Sequence, residues 1–237
     1  MRILSFIFII AFAVSVSAQM PSVKKSFENG TEAAQSGNYE KALEDYRKAI
    51  LLSESDETGN DFLAKIYFNI GVCLYHLNRQ TEAVEVFNKA IESSGGNYQK
   101  AFYALGMAEA KLKNRRKAVA ALREAVRLTK TDGEAWFDLG LVLLEEKNFE
   151  EAEKAFQNSI RYKSIASADA HNNLGVILAL KGDFASAEKE FKVALRKSSG
   201  KSIEAQNNLQ FCESHKQNSA QISPAKLEFS RIENKGE

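Results

Sequence analysis

The sequence is poor in residues that interrupt helices. Its 237 residues include only two prolines, two cysteines and 13 glycines, while 44% of the residues are hydrophobic. The chain therefore has enough apolar side chains for a core and few positions at which a helix must end. This composition predicts an all-helical protein.

Motifs that mark enzymes are also missing. The sequence contains no G-x-S-x-G, no H-E-x-x-H and no C-x-x-C, and these are the usual signatures of hydrolases, zinc proteases and thiol redox proteins. The three histidines are far apart and lack the spacing of metal ligands. We therefore predict no catalytic residues, no metal, no cofactor and no small-molecule substrate.

One apolar run lies at the N-terminus. Residues 3–14 follow Arg2 and precede the small residues 16–18, which is the pattern of a signal peptide cleaved after Ala18. The run is shorter than the roughly 20 apolar residues that cross a bilayer. We expect a secreted or periplasmic protein, with membrane attachment only through an uncleaved signal sequence. Cleavage leaves 31 basic and 31 acidic residues, a balance that argues against nucleic acid as a partner.

A glycine within an apolar helical pattern recurs along the chain. The intervals between successive copies are 41, 35, 34 and 35 residues, and the copies are Gly30, Gly71, Gly106, Gly140 and Gly175. Twelve residues after each glycine stands an alanine, and four residues later a large side chain: Tyr46, Phe87, Leu122, Phe156 and Phe191. Such a period indicates a repeat of helical hairpins. The glycine and the alanine let the two helices approach closely, and the large side chain fills the gap between neighbours.

The best-conforming copy resembles the tetratricopeptide repeat family, whose W-x2-L-G and A-x3-F pattern is met by Trp136, Leu139, Gly140, Ala152 and Phe156. The resemblance implies an all-α, right-handed superhelical solenoid of five helix-turn-helix hairpins and a C-terminal capping helix. The repeats are placed at about residues 23–56, 64–97, 99–132, 133–166 and 168–201, the capping helix at 203–217, and a flexible tail at 218–237. About seven extra residues enter between the first two repeats, near residues 55–63.

The repeat pattern places the two cysteines far apart in space. Cys73 and Cys212 both stand two residues after the glycine position, four repeats apart. Stacked helices would hold them several tens of ångströms from each other, well beyond the roughly 7 Å between Cα atoms that a disulfide can span. We predict that they do not pair within the chain and that Cys73 is a small core residue.

The resemblance also implies where a partner binds, because first helices line the concave surface in this family. Three residues before each glycine position the chain has aromatic residues in repeats one to four, then asparagines. Asn69, Asn173 and Asn208, two residues before that position, resemble the asparagine ladder with which some relatives hold the main chain of a target. The predicted groove residues are Phe27, Phe68, Asn69, Lys100, Tyr103, Met107, Phe137, Asp138, Asn172, Asn173, Asn207, Asn208 and Phe211.

Other interpretations of the same surface remain open. Asn69 and Lys100 match two places of the clamp with which chaperone-binding relatives hold a C-terminal carboxylate, but Phe27, Thr31 and Ala104 do not match, which argues against a clamp. Apolar residues such as Leu141 and Val176 could equally pack between first helices. The basic cluster of the third repeat and the acidic cluster of the fourth are solvated edges or, alternatively, a docking patch for a charged partner.

The predicted function is that of an exported adaptor, not an enzyme, that binds a peptide segment or helix of a partner protein in its concave groove. The alternative is a self-assembling scaffold of the cell envelope, a homo-oligomer in which the groove receives the chain's own tail or that of a neighbouring copy. The tail carries apolar residues suited to such a groove: Ile222, Leu227, Phe229 and Ile232.

Overall fold

A computed structural model describes residues 22–54, 59–215 and 227–230. Within these ranges the chain forms eleven helices and no strand. The helices are α1 (Val23–Gln35), α2 (Tyr39–Ser53), α3 (Asn60–His76), α4 (Gln80–Ser93), α5 (Gln99–Lys111), α6 (Arg115–Leu128), α7 (Gly133–Glu145), α8 (Phe149–Arg161), α9 (Ser167–Leu180), α10 (Phe184–Lys197) and α11 (Ile203–His215). The predicted signal peptide, residues 1–18, lies outside the described residues.

The helices pack as five antiparallel hairpins in chain order, followed by α11. This arrangement confirms the predicted solenoid of hairpins. The odd-numbered helices are called first helices below. Contacts join α1 to α3, α3 to α5 and α9 to α11, and the Tyr103 hydroxyl of α5 bonds to Asp138 of α7, so neighbouring first helices lie side by side at these places.

Polar turns end each first helix and start the next helix. At the same place in the five hairpins the backbone takes a positive φ: 76° at Gly37, 59° at Asn78, 64° at Lys113, 59° at Lys147 and 85° at Gly182. This left-handed residue reverses the chain in a short turn. The following residue then caps the second helix in several hairpins, as when Asn148 Oδ1 accepts the N–H of Glu151 and Asp183 Oδ1 accepts that of Ser186.

The recurrent glycine is required by the large side chain of its own hairpin. A Cβ added at Gly140 would lie 2.7 Å from the ring of Phe156, and one added at Gly71 would lie 2.4 Å from the ring of Phe87. Because a carbon atom cannot approach a ring so closely, only glycine lets the second helix seat its large residue there. The sequence pattern of glycine and large residue is thus one packing contact repeated five times.

The extra residues between the first two repeats lengthen a helix. α3 begins at Asn60, four residues before the start predicted for the second repeat, and spans 17 residues. The added turn carries Phe62, whose ring centroid lies 5.1 Å from that of Phe27 in α1. The insertion therefore adds an aromatic contact between the first two hairpins.

The charged edges of the third, fourth and fifth repeats are joined by ion pairs. Arg115 bonds to Glu145 at 2.8 Å, Arg123 bonds to Glu151 at 2.6 Å, and Lys181 pairs with Glu153. These side chains are partly or largely exposed, so each pair contributes about 0–1 kcal/mol. The pairs connect successive hairpins along one edge of the stack.

Cys73 and Cys212 are both described, both buried, and not joined by a disulfide. Burial raises the pKa of the Cys73 thiol to about 11, as expected for a core residue with no reactive role. No helix among the described residues has the length and apolar content needed to cross a membrane.

The C-terminal region corrects one expectation. A flexible tail was predicted over residues 218–237, but Leu227–Ser230 is held against α9 and α11 by hydrogen bonds and apolar contacts. Asn208 and Asn173 bond to the main chain of Glu228 and Ser230, and Leu227 is buried, so these four residues have fixed contacts within the predicted tail.

Candidate peptide-binding groove

Leu227–Ser230, called the docked segment below, lies against the first helices at the C-terminal end of the stack. Leu227 is only 9% exposed and belongs to one hydrophobic cluster with Val176 of α9 and Phe211 of α11. Phe229 is half-buried and packs against the same cluster and against the neighbouring core. Burial of the two apolar side chains provides the non-directional part of this contact.

Asn208 of α11 binds both main-chain groups of one residue of the docked segment. Its Oδ1 accepts the N–H of Glu228 at 2.8 Å, and its Nδ2 donates to the carbonyl oxygen of Glu228 at 2.7 Å. The Asn208 side chain is fully buried. We call this amide and the residue that it holds the Asn208 subsite.

Asn173 of α9 makes the same pair of bonds to the next alternate residue. Its Oδ1 accepts the N–H of Ser230 at 2.8 Å, and its Nδ2 donates to the carbonyl oxygen of Ser230 at 3.0 Å. This is the Asn173 subsite. Asn173 and Asn208 are 35 residues apart, one repeat, while the residues that they hold are two apart. One repeat of the protein therefore matches two residues of the bound segment, the period of an extended chain.

Asn172 and Asn207 flank these subsites, three residues before the glycine position. The Nδ2 of Asn172 donates to the carbonyl oxygen of Glu228 and to Oγ of Ser230, both at 3.0 Å. Asn207 is exposed and lies 3.4 Å from the carboxylate of Glu228. These amides contact side chains of the docked segment as well as its backbone.

This arrangement can bind a peptide with little dependence on its sequence. A carboxamide offers one acceptor and a donor group, which match the N–H and C=O that almost every residue carries. Selectivity is then left to the side chains on either face of the segment, such as Leu227 in its apolar cluster. Extended peptides that add to a sheet edge divide affinity and specificity in the same way.

Asp138 of α7 occupies the equivalent place one repeat before Asn173. Its side chain is 4% exposed. Oδ2 accepts a 2.5 Å hydrogen bond from the hydroxyl of Tyr103 in α5, while Oδ1 is buried and has no hydrogen-bond partner among the described residues. Burial raises the pKa of Asp138 to about 6, the Tyr103 hydrogen bond opposes this rise, and the negative charges of Glu134 and Asp132 add to it.

The Tyr103–Asp138 bond has a counterpart at the docked segment. Asn208 Nδ2 donates to Asn172 Oδ1 at 2.9 Å. In both pairs a residue three places before the glycine position bonds to a residue two places before it on the next first helix. The side chain of Asp138 therefore has the same position relative to the preceding first helix as the side chain of Asn208.

Several aromatic residues predicted to line the groove contact the core instead. Phe137 is 1% exposed, and its ring centroid lies 5.7 Å from that of Phe156. The ring therefore packs on the large residue of its own hairpin, and its contact with a bound peptide stays a prediction. Phe27 and Phe68 are half-buried and lie 5.5 Å and 6.0 Å from Tyr46 and Phe87 in the same manner.

The remaining predicted residues lie on first helices away from these subsites. Asn69 and Met107 are half-buried, Lys100 is exposed, and none of them forms a hydrogen bond with the docked segment among the described residues. Phe211 belongs to the cluster that contains Leu227.

Sequence reasoning did not identify Glu228 and Ser230 as residues held by the groove. The available signal was the alternation of Leu227 and Phe229 with polar residues, which is typical of an extended segment with one apolar face. The described residues contain no group of three or more histidine, cysteine or acidic side chains arranged to hold a metal ion.

Comparison with known proteins identifies the family. Models described as "Tetratricopeptide repeat" match residues 31–95, 103–164 and 148–202. The chain belongs to the tetratricopeptide repeat family.

A curated relative and two solved structures illustrate how far the similarity extends. The "DnaJ homolog subfamily C member 7 homolog" of Dictyostelium discoideum is 28% identical over 143 residues, which are 60% of this chain and 24% of the relative. Among solved structures, "YrrB: a TPR protein with an unusual peptide-binding site" has a TM-score of 0.64 and 26% identity, with 81% of this chain and 94% of that chain covered. "MamA" has a TM-score of 0.64 and 24% identity, with coverage of 73% and 95%. This chain spans only about a quarter of the curated relative, and the MamA similarity concerns the fold alone.

Proposed function

We propose that this protein is an adaptor that binds an extended peptide segment of a partner protein along its first helices. The observation that carries the proposal is the pair of main-chain bonds that Asn173 and Asn208 each make to one residue of an extended segment. The similarity to YrrB, described as a TPR protein with an unusual peptide-binding site, supports it. The docked segment is then an internal ligand that occupies the place of the partner.

The docked segment must compete with any partner. A segment tethered to its own binding site has an effective concentration of about millimolar, so weak peptides would not displace it. A fair binding test needs the full chain with its segment released. Glu228→Pro and Ser230→Pro remove the two N–H groups that Asn208 and Asn173 accept.

The test is fluorescence anisotropy with a labelled synthetic peptide of residues 225–233, titrated with the wild-type chain and with the double-proline chain. We expect the double-proline chain to bind at least about tenfold more tightly, since its internal competitor is gone. The matched control is Glu228→Ala with Ser230→Ala, which keeps the backbone N–H groups. Absence of binding to the double-proline chain, or binding unaffected by Asn173→Ala with Asn208→Ala in a folded protein, contradicts the proposal.

A second candidate function is self-assembly through exchange of the docked segment between copies. It is favoured by the same contact, because a groove that binds the tail of its own chain can bind that of a neighbour. Light scattering of single chains over a range of concentrations separates the two functions. Segment exchange predicts that the wild-type chain forms dimers or larger oligomers and that the double-proline chain, whose segment is released, is a monomer. The adaptor alone predicts that the wild-type chain is a monomer, because each groove holds its own segment.

The proposal includes export, which rests on the sequence of residues 1–18. The apolar run after Arg2 and the small residues before Gln19 support cleavage and a secreted or periplasmic location. Intact-mass measurement of the protein recovered from the cell envelope tests this. A mature N-terminus at Gln19 is expected, and a full-length cytoplasmic product contradicts it.

A further inference from the structure

We propose that Asp138 is a third main-chain subsite of the groove, which accepts the backbone N–H of the peptide residue two places after the one held by Asn173. The inference rests on the proposed function and extends it by one repeat. It follows from the register of three side chains, the pairing of Asp138 with Tyr103, and one buried oxygen that has no hydrogen-bond partner in the part of the chain that the structure describes.

The register places the next peptide residue at Asp138. From Asn208 to Asn173 the groove moves back by one repeat, and the bound segment advances by two residues from Glu228 to Ser230. Asp138 stands 35 residues before Asn173, the same interval again. An extended ligand that continues in this register brings its next alternate residue to Asp138.

The pairing with Tyr103 identifies which atom would bind the peptide. In Asn208 the Nδ2 atom bonds to the flanking residue Asn172, and Oδ1 accepts the peptide N–H. In Asp138 the Oδ2 atom bonds to the flanking residue Tyr103. Oδ1 of Asp138 therefore corresponds to Oδ1 of Asn208, the atom that accepts an N–H.

That Oδ1 atom is buried and unpartnered among the described residues, in a side chain that is 4% exposed. A buried carboxylate oxygen without a donor is destabilising, so a donor that arrives with the ligand is favoured. A carboxylate cannot donate to the peptide carbonyl as asparagine does. The third subsite thus binds the N–H half of the residue and discriminates against a residue without an N–H, such as proline.

The experiment uses the full chain with Glu228→Pro and Ser230→Pro and a labelled synthetic peptide with the sequence of residues 227–233. In separate peptides the backbone nitrogen is methylated at the residue corresponding to Ile232, which reaches Asp138 in this register, or at its neighbour Arg231 as the control. We expect methylation at the first position to weaken binding about tenfold, the effect of losing one hydrogen bond to a charged acceptor, and methylation at the second to have little effect. Equal affinity of the two methylated peptides overturns the inference.

A third methylated peptide, at the residue corresponding to Ser230, keeps the two proposals distinguishable. If this change has no effect, the Asn173 subsite does not bind the peptide and the proposed function fails. If it weakens binding but methylation at the Ile232 position matches the control, only the third subsite fails.

Variants of Asp138 test the same contact from the protein side, when each is titrated with the methylated peptides. Asp138→Asn keeps an acceptor and should retain sensitivity to methylation at the Ile232 position, whereas Asp138→Ala should lose that sensitivity. Continued sensitivity in Asp138→Ala overturns the inference. If Asp138→Ala does not fold, as judged by circular dichroism, the methylated peptides with the Asp138 chain decide the question alone.

Discussion

The hydroxyl of Tyr103 donates a 2.5 Å hydrogen bond to Oδ2 of Asp138 between adjacent first helices. The two residues hold the same repeat positions as Asn172 and Asn208, which are joined by a 2.9 Å bond beside the docked segment. One cross-repeat contact thus appears twice, once with an amide that binds main chain and once with a carboxyl group whose second oxygen is unpartnered within the described structure.

The buried carboxyl of Asp138 makes the stability of the fold depend on pH. Its pKa is raised by burial from an ordinary 3.8 to about 6, so the folded state favours the protonated form. The contribution is present in full below about pH 4 and is lost as pH rises through about 6. We predict that Asp138→Asn, which removes the charge, raises the free energy of unfolding at pH 8 by about 1–3 kcal/mol.

Urea denaturation of Asp138→Asn and wild type at pH 8 and at pH 5 measures this. The difference should shrink at pH 5, and the exposed Asp61→Asn serves as a control that changes little at either pH. A difference that is equal at both pH values would show that the Asp138 charge is not destabilising.

The contact between the recurrent glycine and the large residue predicts a specific sensitivity. In Gly140→Ala the new Cβ would lie 2.7 Å from the Phe156 ring, so the helices must separate or the ring must leave its place. We expect a loss of about 1–3 kcal/mol, the range for overpacking a core. Gly59→Ala is the control, because an added Cβ there meets nothing within 4 Å. Equal melting temperatures of the two variants would contradict the packing account.

Phe137 is predicted to stabilise the fold. Its ring is 1% exposed and packs near Phe156, so Phe137→Ala should cost about 3–5 kcal/mol by leaving a cavity. Ile165→Ala, at a side chain that is 93% exposed, should change stability little. Chemical denaturation compares them. A Phe137→Ala chain that keeps wild-type stability but loses peptide binding would return this residue to the groove.

The sequence pattern predicted the architecture because the residues that pack against each other lie within the same repeat. The glycine at Gly140 and the large residue at Phe156 are sixteen positions apart and touch in the fold, so their recurrence already specifies a hairpin. The groove was harder to predict. The position three residues before the glycine lies between the inner wall and the large residue of its own hairpin, and an aromatic ring there turns toward the core, as Phe137 does. An asparagine at that position is polar and gains little from packing on the apolar core. Its amide instead bonds to the docked segment, as Asn172 does.

The sequence offered the tail as one occupant of the groove but did not indicate which tail residues bind or to which repeat. Four residues without a repeat carry no register of their own. Their place follows from contacts with asparagines 20 and 57 positions away, Asn208 with Glu228 and Asn173 with Ser230. The sequence between α11 and the docked segment does not indicate where the segment binds. Only the apolar character of Leu227 and Phe229 indicated a buried face.

The turns offer a prediction about backbone conformation. Gly182 and Lys147 occupy equivalent places with φ of 85° and 59°. In Gly182→Ala an alanine must adopt the left-handed backbone conformation, which costs about 1 kcal/mol relative to glycine. Lys147→Ala exchanges one such residue for another and should be nearly neutral. Thermal denaturation of the two variants checks this, and an equal loss in both would contradict it.

Amide hydrogen exchange, measured by NMR on the full chain, shows whether Asn173 and Asn208 hold the main chain of Ser230 and Glu228. We predict that the amides of Glu228 and Ser230 exchange at least about tenfold more slowly than those of an unstructured peptide, and that Asn173→Ala with Asn208→Ala abolishes this protection. Exchange of both amides at the unstructured rate in the wild-type chain would mean that Asn173 and Asn208 do not bind the docked segment.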